Sequence, residues 1–217
     1  MSDIRRGWLK LLADRRAIAI VRAADVGTGL RMAEAAAAGG FKLIEVAWNN
    51  NASPPLMMEA IAQALPDCTI GAGTVLSQAD LKEAIASGAQ FCFTPHTDSK
   101  LIDAAIAQNI PIVAGAMTPT EILSAWRAGA AGVKVFPISA LGNAAYIRSL
   151  KGPLHSIPLV PTGGVTSESA PALLSAGAVA VGLSSALFPH MEVASSNWAA
   201  IEARSRYLLA LLSDLSE

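Results

Sequence analysis

A lysine inside an apolar, strand-like run is the first residue in this chain whose chemistry asks for a reason. In Gly132-Val133-Lys134-Val135-Phe136, strand alternation puts Val133 and Val135 on one face. Lys134 shares the other face with Gly132 and Phe136. Buried lysine is uncommon, because its ammonium loses hydration. Two readings follow: a lysine paired with a core carboxylate, or a desolvated amine whose pKa falls enough to leave free base near neutral pH. Such an amine attacks a ketone and forms an imine. The protonated imine draws electrons from the adjacent C–C bond, so that bond can break or form through an enamine. Glu45 is the natural partner, since alternation in Leu43-Ile44-Glu45-Val46 separates Leu43 and Glu45 from Ile44 and Val46. It suits a counter-ion and equally a proton shuttle, and the two roles are compatible.

Glycine-rich turns supply a second kind of signal. Thr162-Gly163-Gly164 and Gly182-Leu183-Ser184-Ser185 each follow a strand-like run. Backbone N–H groups and hydroxyls in such turns suit a phosphate, although either alone also suits a plain tight turn. Gly71-Ala72-Gly73-Thr74 and Thr94-Pro95-His96 end two other runs. Their small residues leave room for a ligand, with Thr74 able to hydrogen-bond a carboxylate, or simply pack closely at a rim. His96 stands where it could reach the mouth, although a lone rim histidine is more often a bystander, and His155 and His190 sit in loops without partners. No His/Asp/Glu grouping has metal-ligand spacing, which disfavours a metal-dependent mechanism. No G-x-S-x-G elbow with triad partners occurs.

The elements that must carry these residues alternate. Strands are expected at Ala17–Arg22, Lys42–Ala47, Thr69–Gly73, Phe91–Thr94, Pro111–Ala114, Gly132–Phe136, Pro158–Pro161 and Val179–Gly182. Helices are expected at Thr28–Ala38, Pro54–Ala64, Gln78–Ser87, Ser99–Gln108, Thr120–Arg127, Ala144–Leu150, Ser167–Ser175 and Trp198–Leu215. An N-terminal amphipathic helix places Ile4, Trp8, Leu11 and Leu12 on one side. Thr118-Pro119-Thr120-Glu121 offers a cap, a helix-starting proline and an early acid, and Ser167 precedes an acid at the start of its helix.

Ala38-Gly39-Gly40, Ser87-Gly88-Ala89, Ala128-Gly129-Ala130 and Ala176-Gly177-Ala178 form a weak repeat between helix and strand. Glycine there can end a helix in a left-handed conformation. Eight strand–helix units in 217 residues point to one (β/α)8 TIM barrel over residues 1–217, with an extra N-terminal helix. An open doubly wound sheet is the alternative, but its glycine fingerprint is missing after the first strand, where Arg22-Ala23-Ala24-Asp25 stands. In a barrel, Glu45 and Lys134 point inward, toward the C-terminal mouth.

Composition agrees. Hydrophobic residues make up 53% and charged residues 15%, as expected of a sheet buried on both faces. A net charge of −1 gives no electrostatic case for nucleic acid or a membrane surface. No apolar run approaches the roughly 18 residues of a membrane span, and the charged N-terminus does not read as a signal peptide. Cys68 and Cys92, both inside apolar segments, are expected as reduced core residues of a cytoplasmic protein.

These residues together resemble the 2-keto-3-deoxy-6-phosphogluconate / 4-hydroxy-2-oxoglutarate aldolase family, over essentially the whole chain. The matching pieces are Ala37-Ala38-Gly39-Gly40, Ile44-Glu45-Val46, Gly71-Ala72-Gly73-Thr74-Val75-Leu76, Thr94-Pro95, Val133-Lys134-Val135-Phe136-Pro137, Thr162-Gly163-Gly164-Val165 and the Gly182-to-Ser185 turn. The glycine pieces are generic; the inward glutamate, the GAGTVL run and the K-x-F-P strand are specific in combination. The resemblance implies a class I aldolase, without metal or cofactor, that releases pyruvate and an aldehyde such as glyceraldehyde 3-phosphate. It implies Lys134 as the imine-forming residue and Glu45 as acid and base. Thr74, Pro95, Phe136 and Thr162 are expected around the substrate, and Gly163, Gly164, Gly182, Ser184 and Ser185 around its phosphate. It also implies a homotrimer.

One position departs from the pattern. Where the phosphogluconate branch usually has arginine four residues after the glutamate, this chain has Asn49, within Trp48-Asn49-Asn50-Asn51. The related 2-keto-3-deoxy-6-phosphogalactonate aldolases look similar there and tend to have arginine at the end of strand one, as Arg22 is here. Arg22 is therefore expected to supply the missing cation from across the barrel, and Asn49 is expected among the substrate-binding residues. The phosphogalactonate epimer remains open as substrate. So, further off, do a phosphosugar isomerase or decarboxylase and a non-catalytic phosphosugar binder on the same fold.

Overall fold

Eight parallel strands, each followed by a helix, wrap into a barrel in the computed structural model, which describes residues 3–49 and 53–213. Asn50, Asn51 and the expected end of the last helix at Leu215 lie outside the described residues. The strands are β1 (Ala17–Val21), β2 (Leu43–Ala47), β3 (Thr69–Gly73), β4 (Cys92–Phe93), β5 (Ile112–Ala116), β6 (Gly132–Val135), β7 (Leu159–Pro161) and β8 (Val181–Leu183). Neighbours in sequence are neighbours in space from β1 to β7, and β8 pairs with β1. The ring closes where Val179 N donates to Leu159 O at 2.9 Å.

The outer layer holds α2 (Val26–Ala38), α3 (Pro54–Ala64), α4 (Gln78–Ala86), α5 (Ser99–Ala107), α6 (Pro119–Arg127), α7 (Ala144–Lys151), α8 (Ser169–Ser175) and α10 (Trp198–Ser213). Their starts follow local chemistry. Thr118 and Glu121 form a reciprocal capping box with Pro119 in the first turn of α6, and Ser77 and Asp80 do the same for α4. The four helix–strand junctions of the repeat each carry a glycine at positive φ, at Gly40, Gly88, Gly129 and Gly177. There the missing Cβ lets the chain reverse into the next strand.

Strand alternation sorts the core into two parts. Ile44, Val46, Val133 and Val135 pack outward against the helices. Ile18, Ile20, Leu43, Phe91, Phe93, Val113 and Val160 fill the inside. The first helix, α1 (Asp3–Arg15), closes the end of the barrel opposite the mouth. Its Trp8 packs on Phe91 at 4.8 Å between ring centres and edge-on to Phe93 at 6.4 Å.

Several expectations need correction. Of the face expected for α1, Trp8 and Leu12 are buried, whereas Ile4 is exposed. α8 starts at Ser169 and Ser167 does not cap it: Ser169 N instead donates to Thr166 Oγ1, while Ser167 bonds Glu168. β8 begins at Val181, two residues later than expected, although Val179 already bonds to Leu159 of β7. A 3-10 turn at Ile138–Leu141 and the short α9 (His190–Ala194) were not anticipated. No helix among the described residues is long and apolar enough to cross a membrane.

Candidate active site

Lys134 projects inward from β6 and is 5% exposed. Its register partners are Gly115 on β5 and Val160 on β7, so one neighbour adds no side chain beside the amine. The ammonium sits 4.9 Å from the centre of the Phe136 ring, a cation–π contact at the mouth. Burial holds Lys134 below the ordinary lysine value; Glu45 pulls it back up, and the Arg22 cation pushes it down again.

Glu45 enters from β2 and is 1% exposed. Its carboxyl folds over Gly73, where any Cβ would collide with Oε1. Oε2 is buried with no hydrogen-bond partner among the described residues. Burial raises Glu45 above the usual carboxylate range, and the cations of Lys134 and Arg22 act against that. The simple structural reading of this pair, a core salt bridge, is not what the side chains adopt. Among the described residues neither makes an ion pair. A buried acid and a buried amine thus share one space without pairing with each other, an arrangement typical of functional sites.

That space is a cavity of about 130 Å3 at the C-terminal end of the strands. It brings together Arg22, Glu45, Lys134, Phe136, Thr162, Gly163, Gly164, Gly182, Ser184 and Ser185 of the expected site. Ile20 and Val165 line it too and were missed, since an apolar wall has no chemical signature in a sequence. Asn49, Thr74 and Pro95 stand outside the lining. Asn49 is tied to it nonetheless: Arg22 Nη1 donates to Asn49 Oδ1 at 2.6 Å. Thr74 is half-buried with φ +58, the left-handed region that β-branched residues avoid. Pro95 is held at the rim, where its carbonyl group packs so closely on Gly115 that no Cβ would fit there.

The two glycine turns are shaped differently. Gly163 and Gly164 both take positive φ, 84° and 77°. The turn is fastened through its carbonyls, with Ile138 N donating to Thr162 O at 2.9 Å and Ser139 N to Gly163 O at 3.2 Å. The amides of Gly163, Gly164, Ser184 and Ser185 enter no backbone hydrogen bond among those found in the turns and loops of the described residues. They remain available as donors to an anion. The Thr162 hydroxyl is turned to its own strand, donating to Val160 O at 3.2 Å, and its methyl fills the space that Gly182 leaves.

The remaining candidates separate from the site. His96, His155 and His190 are exposed and do not line the cavity. Among the described residues no three His, Cys, Asp or Glu side chains group closely enough to hold a metal. Cys68 and Cys92 are buried free thiols, and burial pushes Cys92 up to about 12, which makes it a poor nucleophile.

The profile of a family described as KDPG and KHG aldolase matches residues 10–204. A 2-dehydro-3-deoxy-phosphogluconate aldolase of Pseudoalteromonas atlantica is 32% identical over 186 residues, 86% of each chain. A 2-dehydro-3-deoxy-6-phosphogalactonate aldolase of Escherichia coli is 34% identical over 175 residues, 79% of this chain and 83% of that one. Among solved structures, a KDPG aldolase from Legionella pneumophila, with pyruvate captured as a covalent carbinolamine, superposes with a TM-score of 0.85. It is 25% identical, over 92% of this chain and 97% of that one.

Proposed function

The chain belongs to the KDPG and KHG aldolase family and is a lyase, and from that premise we propose how its own residues divide the work. The substrate is 2-keto-3-deoxy-6-phosphogluconate, with 4-hydroxy-2-oxoglutarate as a second candidate. The Lys134 amine attacks the C2 ketone, and Glu45 carries the proton that turns the carbinolamine oxygen into leaving water. The resulting iminium draws the electrons of the C3–C4 bond. Glu45 takes the proton of the C4 hydroxyl as the bond breaks and the aldehyde departs. The enamine left on Lys134 then regains a proton at C3 from Glu45, and water releases pyruvate.

The observation that carries this reading is the pair Lys134 and Glu45, both almost fully buried and both facing one cavity without forming an ion pair. Arg22 is assigned the substrate carboxylate, with Asn49 holding the guanidinium. Thr74, Pro95, Phe136 and Thr162 are assigned the pyruvate end. Gly163, Gly164, Gly182, Ser184 and Ser185 are assigned the phosphate. The scheme itself calls on no metal or other cofactor.

A coupled assay with lactate dehydrogenase tests it. Pyruvate should appear from the phosphorylated substrate, and absence of pyruvate from every substrate of the class would remove the assignment.

A second substrate, the phosphogalactonate epimer, is favoured by one observation: the Arg22–Asn49 contact puts the cation just after β1 and not after β2. The ratio of kcat/KM for the two epimers separates the readings.

We further propose one domain over residues 1–217, a cytoplasmic location and a homotrimer. Two buried free thiols support the location. Leu56, Leu76 and Met117, exposed near the mouth side, support association. Light scattering on the purified protein tests the trimer.

A further inference from the structure

The contact between Arg22 and Asn49 raises the question of what holds Asn49. Its side chain is exposed and lies in a turn, so its place depends on the residue before it. Trp48 is buried, and its amide donates to Gly73 O at 2.7 Å, extending the β2–β3 ladder by one residue. The Trp48 indole N–H donates to Glu83 Oε2 on α4 at 3.2 Å. Glu83 does not line the cavity, and its carboxylate makes no other hydrogen bond or ion pair among the described residues. A carboxylate is a strong acceptor for an indole N–H, and a buried indole left without one has reason to turn in search of another.

We propose that Glu83 is a positioning residue for the Arg22–Asn49 pair, acting through Trp48. The chain runs from an α4 carboxylate, through the indole at the end of β2, to the asparagine that braces the guanidinium. The inference rests on the assignment of Arg22 to the substrate carboxylate. It extends the substrate-reading apparatus to a residue outside the cavity.

The experiment is a kinetic cycle on the full-length protein with the phosphorylated keto acid. Glu83→Ala should raise KM about fivefold, the equivalent of roughly 1 kcal/mol, with kcat nearly unchanged. Glu83→Gln keeps a carbonyl acceptor and should return KM close to the parent value. Trp48→Phe removes the donor and should match Glu83→Ala, and the double variant should be no worse than either single one. A parental KM in Glu83→Ala, or additive effects in the double variant, overturns the proposal. Arg22→Ala separates the two levels. A raised KM there with a parental KM in Glu83→Ala defeats only the positioning role, whereas a parental KM in Arg22→Ala defeats the carboxylate assignment and the inference with it.

Discussion

The carboxyl of Glu45 occupies the space that a side chain on Gly73 would need. The two lie on adjacent strands, and the glycine keeps Glu45 turned into the cavity and away from the barrel wall. Gly73→Ala is expected to lower kcat about 100-fold, the scale of a displaced general acid–base group. Steady-state kinetics beside a thermal melt check this: a folded variant with parental kcat would show that the pose of Glu45 is immaterial.

Lys134→Ala should reduce turnover by several orders of magnitude while leaving the barrel folded. Borohydride reduction in the presence of pyruvate should attach a three-carbon unit to Lys134 in the parent. Peptide mass spectrometry locates it, and an unmodified Lys134 counts against the imine.

Glu45→Gln should slow both cleavage and the exchange of pyruvate methyl protons into deuterated water. NMR follows the exchange directly. Exchange at the parental rate would move the shuttle role to another group.

The pH dependence has a definite sign. Lys134 lies below the ordinary lysine value, so kcat/KM should rise with pH through that lowered value as free amine forms. For stability, the unfolded chain binds the Lys134 proton more tightly. Stability from this group therefore increases with pH between the lowered and the ordinary value. Glu45, raised by burial, works the other way: its share is complete below the ordinary glutamate value and is lost as pH climbs through the raised one. Arg22 opposes protonation of Lys134. Arg22→Gln should thus shift the rising limb of kcat/KM to higher pH, and an unmoved limb would rule out that electrostatic influence.

Gly164→Ala would place a Cβ against the Ser139 hydroxyl at a φ of 77°. The expected result is a raised KM for the phosphorylated substrate and a smaller effect on 4-hydroxy-2-oxoglutarate, which has no phosphate. Equal effects on both would detach this turn from phosphate binding.

What could be foreseen was whatever depends on period two. Leu43 and Glu45 inward, Ile44 and Val46 outward, and Lys134 opposite Val133 and Val135 all follow from alternation, and all hold. Edges were less legible, because they answer to contacts far along the chain. β4 shrinks to Cys92–Phe93, and Thr94 turns its hydroxyl to His96 O and Gly115 N. Arg22 meeting Asn49 spans 27 positions and exists only once the strands curve together. Trp48 reaching Glu83 had no precursor in any local pattern.

The aromatic plug of Trp8 on Phe91 and Phe93 has a consequence for traffic. With that end filled by aromatic rings, the way between the cavity and solvent lies on the side of the mouth. In the proposed scheme the aldehyde is released while the three-carbon fragment is still bonded to Lys134, and the turns assigned to the phosphate lie toward the mouth. On that scheme the covalent bond and the closed floor impose one order of departure: aldehyde first, pyruvate second.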